Sequence, residues 1–340
     1  MSARSFTHPM RSILGAQRLV CQGRQLGEPS CGVYECKGGP AMKIAITGSR
    51  GLIGSSLIPH LEAAGHEIVR IVRGSAQGDD VRWDPPNRRI DADKLDGVEA
   101  VVHLAGAGVA DRRWSSSYKR EILASRVDGT TTLAEALAQM TVPPSVMVSA
   151  SAVGYYGSRG DEVLTEGSRP GTGFLADVCA QWESSAAPAA SAGIRVAHLR
   201  TGVVLSAAGG ALKKQLPLFR LGLGARLGRG SQQFSWISRR DAVAAIVFLL
   251  EHETLSGPFN IASPQPVTNA VFTRALGQAV HRPTLLAVPA AVLRLALGNE
   301  MASEFLLTSQ RVVPERLLAT GFTFADATLP DALVTALGDR

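Results

Sequence analysis

Lys43–Thr47 reads as a short apolar strand, and Thr47-Gly48-Ser49-Arg50-Gly51-Leu52-Ile53-Gly54 follows it at once, opening a helical period over Ile53–Ala64 that Gly65 stops. No other feature of the chain restricts the fold as tightly. A strand that turns through spaced glycines into a helix is the first unit of a dinucleotide-binding βαβ. Gly48 permits the tight turn, Gly51 lets backbone N–H groups approach a pyrophosphate, and Gly54 lets the helix pack close to the strand. The helix start adds the positive end of its dipole. No Gly-Lys-Ser/Thr follows, which argues against a nucleoside-triphosphate P-loop.

From Met42 onward strands and helices alternate. Glu67–Val72, Val81–Trp83, Ala100–Leu104, Val146–Ser149 and Arg195–Leu199 read as strands. Ser116–Gln139, Leu175–Ala187 and Arg240–Glu251 read as helices, with Asn269–Val280 and Ala290–Leu297 beyond them. The expected fold class is α/β, a doubly wound parallel sheet of the Rossmann type with a small C-terminal lobe on the substrate side. The expected division is an extension at 1–41, an NAD(P)-binding domain at 42–255, and a lobe at 256–340. That lobe is short for a core of its own and is expected to pack on the carboxyl edge of the sheet, where open α/β sheets bind ligands.

The second strand ends in Ile71-Val72-Arg73-Gly74. A site that prefers NAD places Asp or Glu here to hold the ribose 2′-hydroxyl. Arg73 stands there instead, and Arg50 lies in the glycine loop, two guanidinium forks suited to a 2′-phosphate. The expected cofactor is NADP(H), with NAD(H) as the second choice.

Charge and cysteine are unevenly spread. The chain is 45% hydrophobic with a net charge of +6, ordinary for a globular protein. Half of that excess lies before Met42, in Arg4, Arg11, Arg18, Arg24 and Lys37 against Glu28 and Glu35. The remainder is too mild to argue for nucleic acid. Cys21, Cys31 and Cys36 lie in the extension and Cys179 alone in the body, as in a protein of a reducing compartment. A cytoplasmic location is expected, or a mitochondrial one if residues 1–41, Arg- and Ser-bearing and free of acid over the first twenty, are a transit peptide. The other reading is an extended start with Met42 as the true initiator. No apolar run approaches membrane-spanning length, so no membrane partner is expected. No His, Cys and carboxylate spacing suggests a metal. A homodimer stays open.

Several motifs beyond the loop resemble the extended short-chain dehydrogenase/reductases, the NAD-dependent epimerase/dehydratase group, and more closely an atypical branch of it. They include His103-Leu104-Ala105-Gly106-Ala107, Arg112-Arg113-Trp114, Ser125-Arg126, Gly154-Tyr155-Tyr156-Gly157, Leu199-Arg200-Thr201-Gly202 and Ser235-Trp236-Ile237 with Asp241. The tail, with His281-Arg282-Pro283, Gln310-Arg311 and Gly321-Phe322, resembles that branch's C-terminal region. The resemblance implies that Gly48, Arg50, Gly51, Leu52, Ile53 and Gly54 cradle the cofactor. It also implies that Leu104 and Ala105 touch it through backbone, that Glu121 and Arg126 lie along it, and that Val204 lies near the nicotinamide.

Reductases of this family use a Tyr as general acid/base with a Lys four residues later, whose charge lowers the Tyr pKa. Ser151 matches the family's substrate-orienting Ser. Counting back from Glu183, however, puts Leu175 at the Tyr and Cys179 at the Lys, and no lysine exists between Lys119 and Lys213. Tyr155 or Tyr156 beside Ser151, with Arg126 or Arg159 as electrostatic partner, are the remaining candidates for proton transfer. Two readings follow. One is an oxidoreductase or epimerase that moves hydride to or from a small carbonyl or sugar-like substrate without the Tyr-Lys pair. The other is a non-catalytic module that responds to NADPH.

Overall fold

The computed structural model describes residues 40–339. The reading of 1–41 as a start-site or targeting extension, with Cys21, Cys31 and Cys36, therefore falls outside the described residues except at its last two positions.

The chain opens with β1 (Lys43–Thr47), α1 (Gly54–Ala63), β2 (Glu67–Val72), β3 (Val81–Asp84), β4 (Arg89–Ile90) and β5 (Ala100–His103). The long helix α2 (Ser116–Ala138) leads to β6 (Val146–Ala152), a 3-10 turn at Val153–Tyr156 and β7 (Val163–Leu164). Next come α3 (Phe174–Ser184), α4 (Ala187–Ser191), β8 (Arg195–Thr201), β9 (Val203–Leu205), α5 (Gly210–Arg220), β10 (Ala225–Leu227), β11 (Gln233–Phe234) and β12 (Trp236–Ser238). The chain closes with α6 (Arg239–Glu251), β13 (Gly257–Ile261), β14 (Val267–Thr268), α7 (Asn269–Ala279), β15 (Leu286–Val288), α8 (Ala290–Leu297), α9 (Asn299–Met301), β16 (Arg311–Val312), α10 (Glu315–Ala319) and α11 (Leu329–Gly338).

Eight strands form one sheet in the order β13-β8-β6-β5-β1-β2-β3-β4, parallel except for the β3–β4 pair. The chain winds outward from β1 in both directions, and the direction reverses between β1 and β5. Period-two alternation divides the side chains between two faces. Ile44 and Ile46 of β1 face α1 and α6 in one apolar cluster, and Ala45 faces α2 and α4 in the other. A crevice at the switch point, above the carboxyl ends of the strands, is the geometric consequence.

Local chemistry sets the boundaries. Gly65 takes φ +89° after α1, and His66 N–H donates to Leu61 O at 3.1 Å, closing the last turn. Ser115 caps α2 by accepting from Tyr118 N–H at 3.1 Å. The single helix expected over Leu175–Ala187 is two helices, because Pro188 cannot donate into a continuous ladder and instead occupies the first turn of α4.

The expected boundary at 255/256 does not divide two bodies. Gly257–Ile261 is the eighth strand of the main sheet, parallel to β8, and Leu317 and Phe322 complete the apolar cluster under it. The lobe is instead assembled from both sides of that boundary. Leu212, Leu216, Phe219 and Trp236 pack with Phe272, Leu276, Leu329 and Leu333 in a third core. No helix among the described residues is long and apolar enough to cross a membrane, and no group of three or more His, Cys, Asp or Glu among them could hold a metal ion.

Candidate functional site

The glycine loop closes over a crowded backbone crossing. Gly48 has φ +69°, and a Cβ there would lie 2.8 Å from the Leu104 carbonyl carbon. A Cβ on Gly54 would lie 2.4 Å from Gly48 O, closer than atoms approach. Gly51 N–H turns back to Gly48 O at 2.9 Å, and no side chain caps the first turn of α1. The leading amides of that helix keep their capacity for an anion. Leu52 packs beneath Gly209 and Gly210, and Ile53 packs on the core.

Thr47, at the end of β1, fixes the segment that follows β5. Its Oγ1 accepts from the N–H groups of Leu104 and Ala105 at 3.0 and 3.1 Å and lies 2.8 Å from His103 Nδ1. Two accepted bonds use both lone pairs of the hydroxyl, so its proton points to Nδ1. His103 is therefore neutral, with its proton on Nε2 directed at Thr130 Oγ1, 3.1 Å away. Burial agrees, pulling its pKa from 6.5 down to about 4. His103 is a structural pin.

A cavity of about 310 Å³ opens beside this crossing. It joins Arg73 at the end of β2, Trp83 and Asp84 at the end of β3, Ala105 after β5, and Glu121 and Asp128 on α2. Ser125 Oγ holds the rim by accepting from Ala107 N–H at 3.1 Å. The sequence reading gave no site role to Trp83, Asp84 and Asp128, and quoted Ser125 only within a motif. For Trp83 and Asp84 the signal was the Trp83-Asp84-Pro85 run at a third strand end on the same edge. Arg73 and Arg50, expected as two forks close together at one 2′-phosphate, open on different hollows. Arg50 lines a second one with Ser49, Arg70 and Gln77. Both arginines are exposed. Glu121 is also exposed and lies 3.9 Å from Arg112.

A second cavity, about 330 Å³, continues along the carboxyl edge. Val153, Leu175, Val178, Phe234, Phe305 and Leu306 give it a largely apolar wall. Leu175 and Cys179, expected from the resemblance to stand at the Tyr and Lys positions, both line it. Burial pushes the Cys179 thiol up to about 12, so it is neither base nor nucleophile as it stands. Arg126 also lines this cavity, 9% exposed. Its Nη1 donates to Ile122 O at 3.0 Å and its Cζ lies 4.9 Å from the Trp182 ring, with no carboxylate paired to it. Burial lowers its pKa, but a guanidinium stays charged in proteins. A buried cation without a carboxylate partner, close to Gly106 after β5, is available to an anionic group of a ligand. Val204 packs on the core instead, and its neighbour Val203 lines the cavity.

The three expected catalytic side chains are not gathered around this space. Ser151 Oγ donates to Glu183 Oε1 at 2.7 Å. Glu183 is held bidentately by Arg200, Nε to Oε1 at 2.8 Å and Nη2 to Oε2 at 2.9 Å. Burial would raise the Glu183 pKa, but the Arg200 pair outweighs it and the net shift is downward. Tyr156 is fully buried; its hydroxyl donates to Asn260 Oδ1 at 2.6 Å and accepts from Arg200 Nη1 at 3.1 Å. Burial drives its pKa up to about 12. Tyr155 lays its ring 3.5 Å from the Arg200 guanidinium. The strand that carries Ser151 turns its side chain away from the cavity, toward this network. Arg159 is taken by Glu162 at 2.7 Å. Arg126 alone of the two expected electrostatic partners faces the cavity.

Comparisons with known proteins agree with this fold. The sequence model of the NAD dependent epimerase/dehydratase family matches residues 44–262, and one described as a domain of unknown function, DUF1731, matches residues 288–336. An epimerase family protein of Mycobacterium bovis is 47% identical over 291 residues, covering 85% of this chain and 96% of that protein. The crystal structure of human epimerase family protein SDR39U1 (isoform 2) with NADPH is similar at a TM-score of 0.81 and 32% identity, covering 88% of this chain and 100% of that one. A nucleoside-diphosphate sugar epimerase from Corynebacterium glutamicum is similar at a TM-score of 0.72 and 39% identity, covering 88% of this chain and 58% of that one.

Proposed function

The chain belongs to the NAD dependent epimerase/dehydratase family, and from that premise we propose that it binds NADP(H) and passes hydride to or from a small, largely apolar carbonyl compound without a Tyr-Lys pair. The observation that carries the cofactor half is the conjunction of an uncapped helix start, cleared by Gly48 and Gly54, with the buried and unpaired Arg126. Arg73 supports the 2′-phosphorylated form, because it replaces the carboxylate that an NAD site needs at the end of β2. The human relative's NADPH complex supports the same choice. When bound, the cofactor supplies the hydride. The protein supplies the grip of the loop amides, the charge of Arg126 and a mainly aliphatic and aromatic wall interrupted by Gln215, Gln232, Gln233 and Asn269.

The substrate class follows from what lines the second cavity. Arg126 is the one cation on it, and Glu304 the one carboxylate. The diphosphate of a nucleotide sugar would meet no further cation there, whereas a compact apolar ketone or aldehyde meets matched surface. Calorimetry with NADPH and NADH tests the cofactor reading. NADPH should bind at least about tenfold more tightly, a gap that Arg73→Ala with Arg50→Ala should narrow. Absence of heat with either dinucleotide would overturn it. NADPH oxidation across a panel of apolar carbonyls and nucleotide sugars tests the chemistry.

A second reading keeps the cofactor and drops the turnover. Leu175 and Cys179 on the cavity wall, with Ser151 and Tyr156 locked behind it, favour a module whose conformation follows NADPH occupancy. Tight NADPH binding with no oxidation by any panel member would select it.

A further inference from the structure

Seven of the twelve exposed large hydrophobic residues of the described chain fall in two short segments. Leu218, Leu221 and Leu223 lie at and just beyond the end of α5, Leu285 lies just before β15, and Leu286, Val292 and Leu295 lie on β15 and α8. Leu285 is 90% exposed, Leu295 82% and Leu221 72%. The segments are neighbours in space. β10 pairs with β15 so that Ala225 faces Leu286, and Arg282 Nε donates to Arg220 O at 2.9 Å. A Cβ on Gly228 would lie 3.9 Å from Ala290 Cβ, which brings the start of α8 against the same strand. On α8, Leu293 turns inward while Val292 and Leu295 face out.

Charge on this face has one sign. No Asp or Glu occurs between Glu183 and Asp241, nor between Glu253 and Glu300. Arg220, Arg226, Arg282 and Arg294 are exposed among the leucines, and no salt bridge among the described residues engages them. Across 218–226 and 281–297, Thr284 and His281 are the only other polar side chains, and the one aromatic ring, Phe219, is buried. Protein interfaces are enriched in exposed Tyr, Trp and Phe, and this face presents none of them. A second copy on a two-fold axis would set arginine against arginine. Aliphatic side chains ringed by unpaired arginines match acyl chains beneath anionic headgroups.

We propose that this face docks the protein on an anionic lipid bilayer, with Leu221, Leu285 and Leu295 entering the headgroup boundary and the four arginines meeting lipid phosphates. The expectation of no membrane partner rested on the lack of a spanning run, and a surface that lies on a bilayer needs none. Leu227, beside Arg226 on β10, lines the apolar cavity, so docking would bring lipid-dissolved compounds to its mouth.

Vesicle flotation with the full chain tests this, using phosphatidylcholine alone and phosphatidylcholine doped with phosphatidylglycerol. The protein should float with the doped vesicles only, and less as salt rises. Leu285→Asp with Leu295→Asp should lower partition about tenfold or more, and so should Arg220→Glu with Arg282→Glu, because each added or lost charge near the surface shifts binding severalfold. Both variants should keep the thermal midpoint and NADPH affinity of the parent, which separates a docking defect from misfolding. Equal flotation with neutral vesicles would overturn the proposal. So would undiminished binding by the variants, which would assign the lipid contact to the basic residues before Met42, or a solution dimer that the variants split.

Discussion

His103 gives the sharpest test of how the cofactor half is built. It is fully buried between the hydroxyls of Thr47 and Thr130, and burial holds its pKa at about 4 against 6.5 in an unfolded chain. The unfolded state takes up a proton as the pH falls through 6.5, while the folded state refuses it until about 4. Stability contributed by neutral His103 is therefore complete above pH 6.5 and is lost on the way down to 4. Between about pH 7.5 and about pH 4.5 this one group should cost about 2.5 kcal/mol. The perturbation is His103→Asn, which keeps an acceptor near Thr47 and removes the titration. Urea unfolding of both proteins at the two pH values gives the comparison. The variant should be less stable at neutral pH, having lost its bond to Thr130, but should lose about 2.5 kcal/mol less on acidification. His198, Glu166, Asp241 and Glu183 also titrate with folding, but they are common to both proteins and cancel in the difference. Equal acid sensitivity in the two proteins would refute the proton assignment at Thr47 and His103.

Other consequences can be measured in the same way. Glu183→Gln strands the buried Arg200 charge and should cost about 3–5 kcal/mol, whereas Glu183→Leu with Arg200→Met should recover most of it; strictly additive losses in that cycle would show that the pair is not coupled. Because the folded Glu183 pKa is depressed, Glu183→Gln should also flatten the loss of stability as the pH falls below the ordinary carboxylate range. Gly54→Ala forces a Cβ into Gly48 O and should weaken NADPH binding about tenfold or more; unchanged calorimetry would show that the loop can relax without consequence. Cys179, its thiol pushed up to about 12, should resist alkylation in the folded protein on the timescale that labels a free thiol; rapid modification at that peptide by mass spectrometry would contradict its burial.

The parts of this molecule that were legible in the sequence are those decided by neighbours along the chain. The glycine loop and the alternation of β1 to β6 with α1 and α2 each depend on local spacing. β13 escaped notice because Gly257-Pro258-Phe259-Asn260-Ile261 breaks the apolar pattern of a central strand. Pro258 is tolerated there because β13 is an edge, where one side of the backbone has no ladder to feed. The fate of Ser151 and Tyr156 was illegible for a different reason. Their partners Glu183, Arg200 and Asn260 come from α3, β8 and β13, and nothing in a Ser-x-x-x-Tyr-Tyr spacing says which face of a strand and which side of a 3-10 turn meets a buried cation. Val204 and Val203 illustrate the same limit at single-residue scale, since a step of one residue exchanges cavity for core.

The position of β13 bears on how the protein is made. A nascent chain that has delivered everything through α6 still has β8 as an open hydrogen-bonding margin, and the Tyr156 hydroxyl lacks Asn260 as its acceptor. Leu317 and Phe322, which seal the same flank, emerge later still. Synthesis on the ribosome thus leaves an adhesive border exposed until the final segments arrive, and a prematurely terminated product would carry that border permanently.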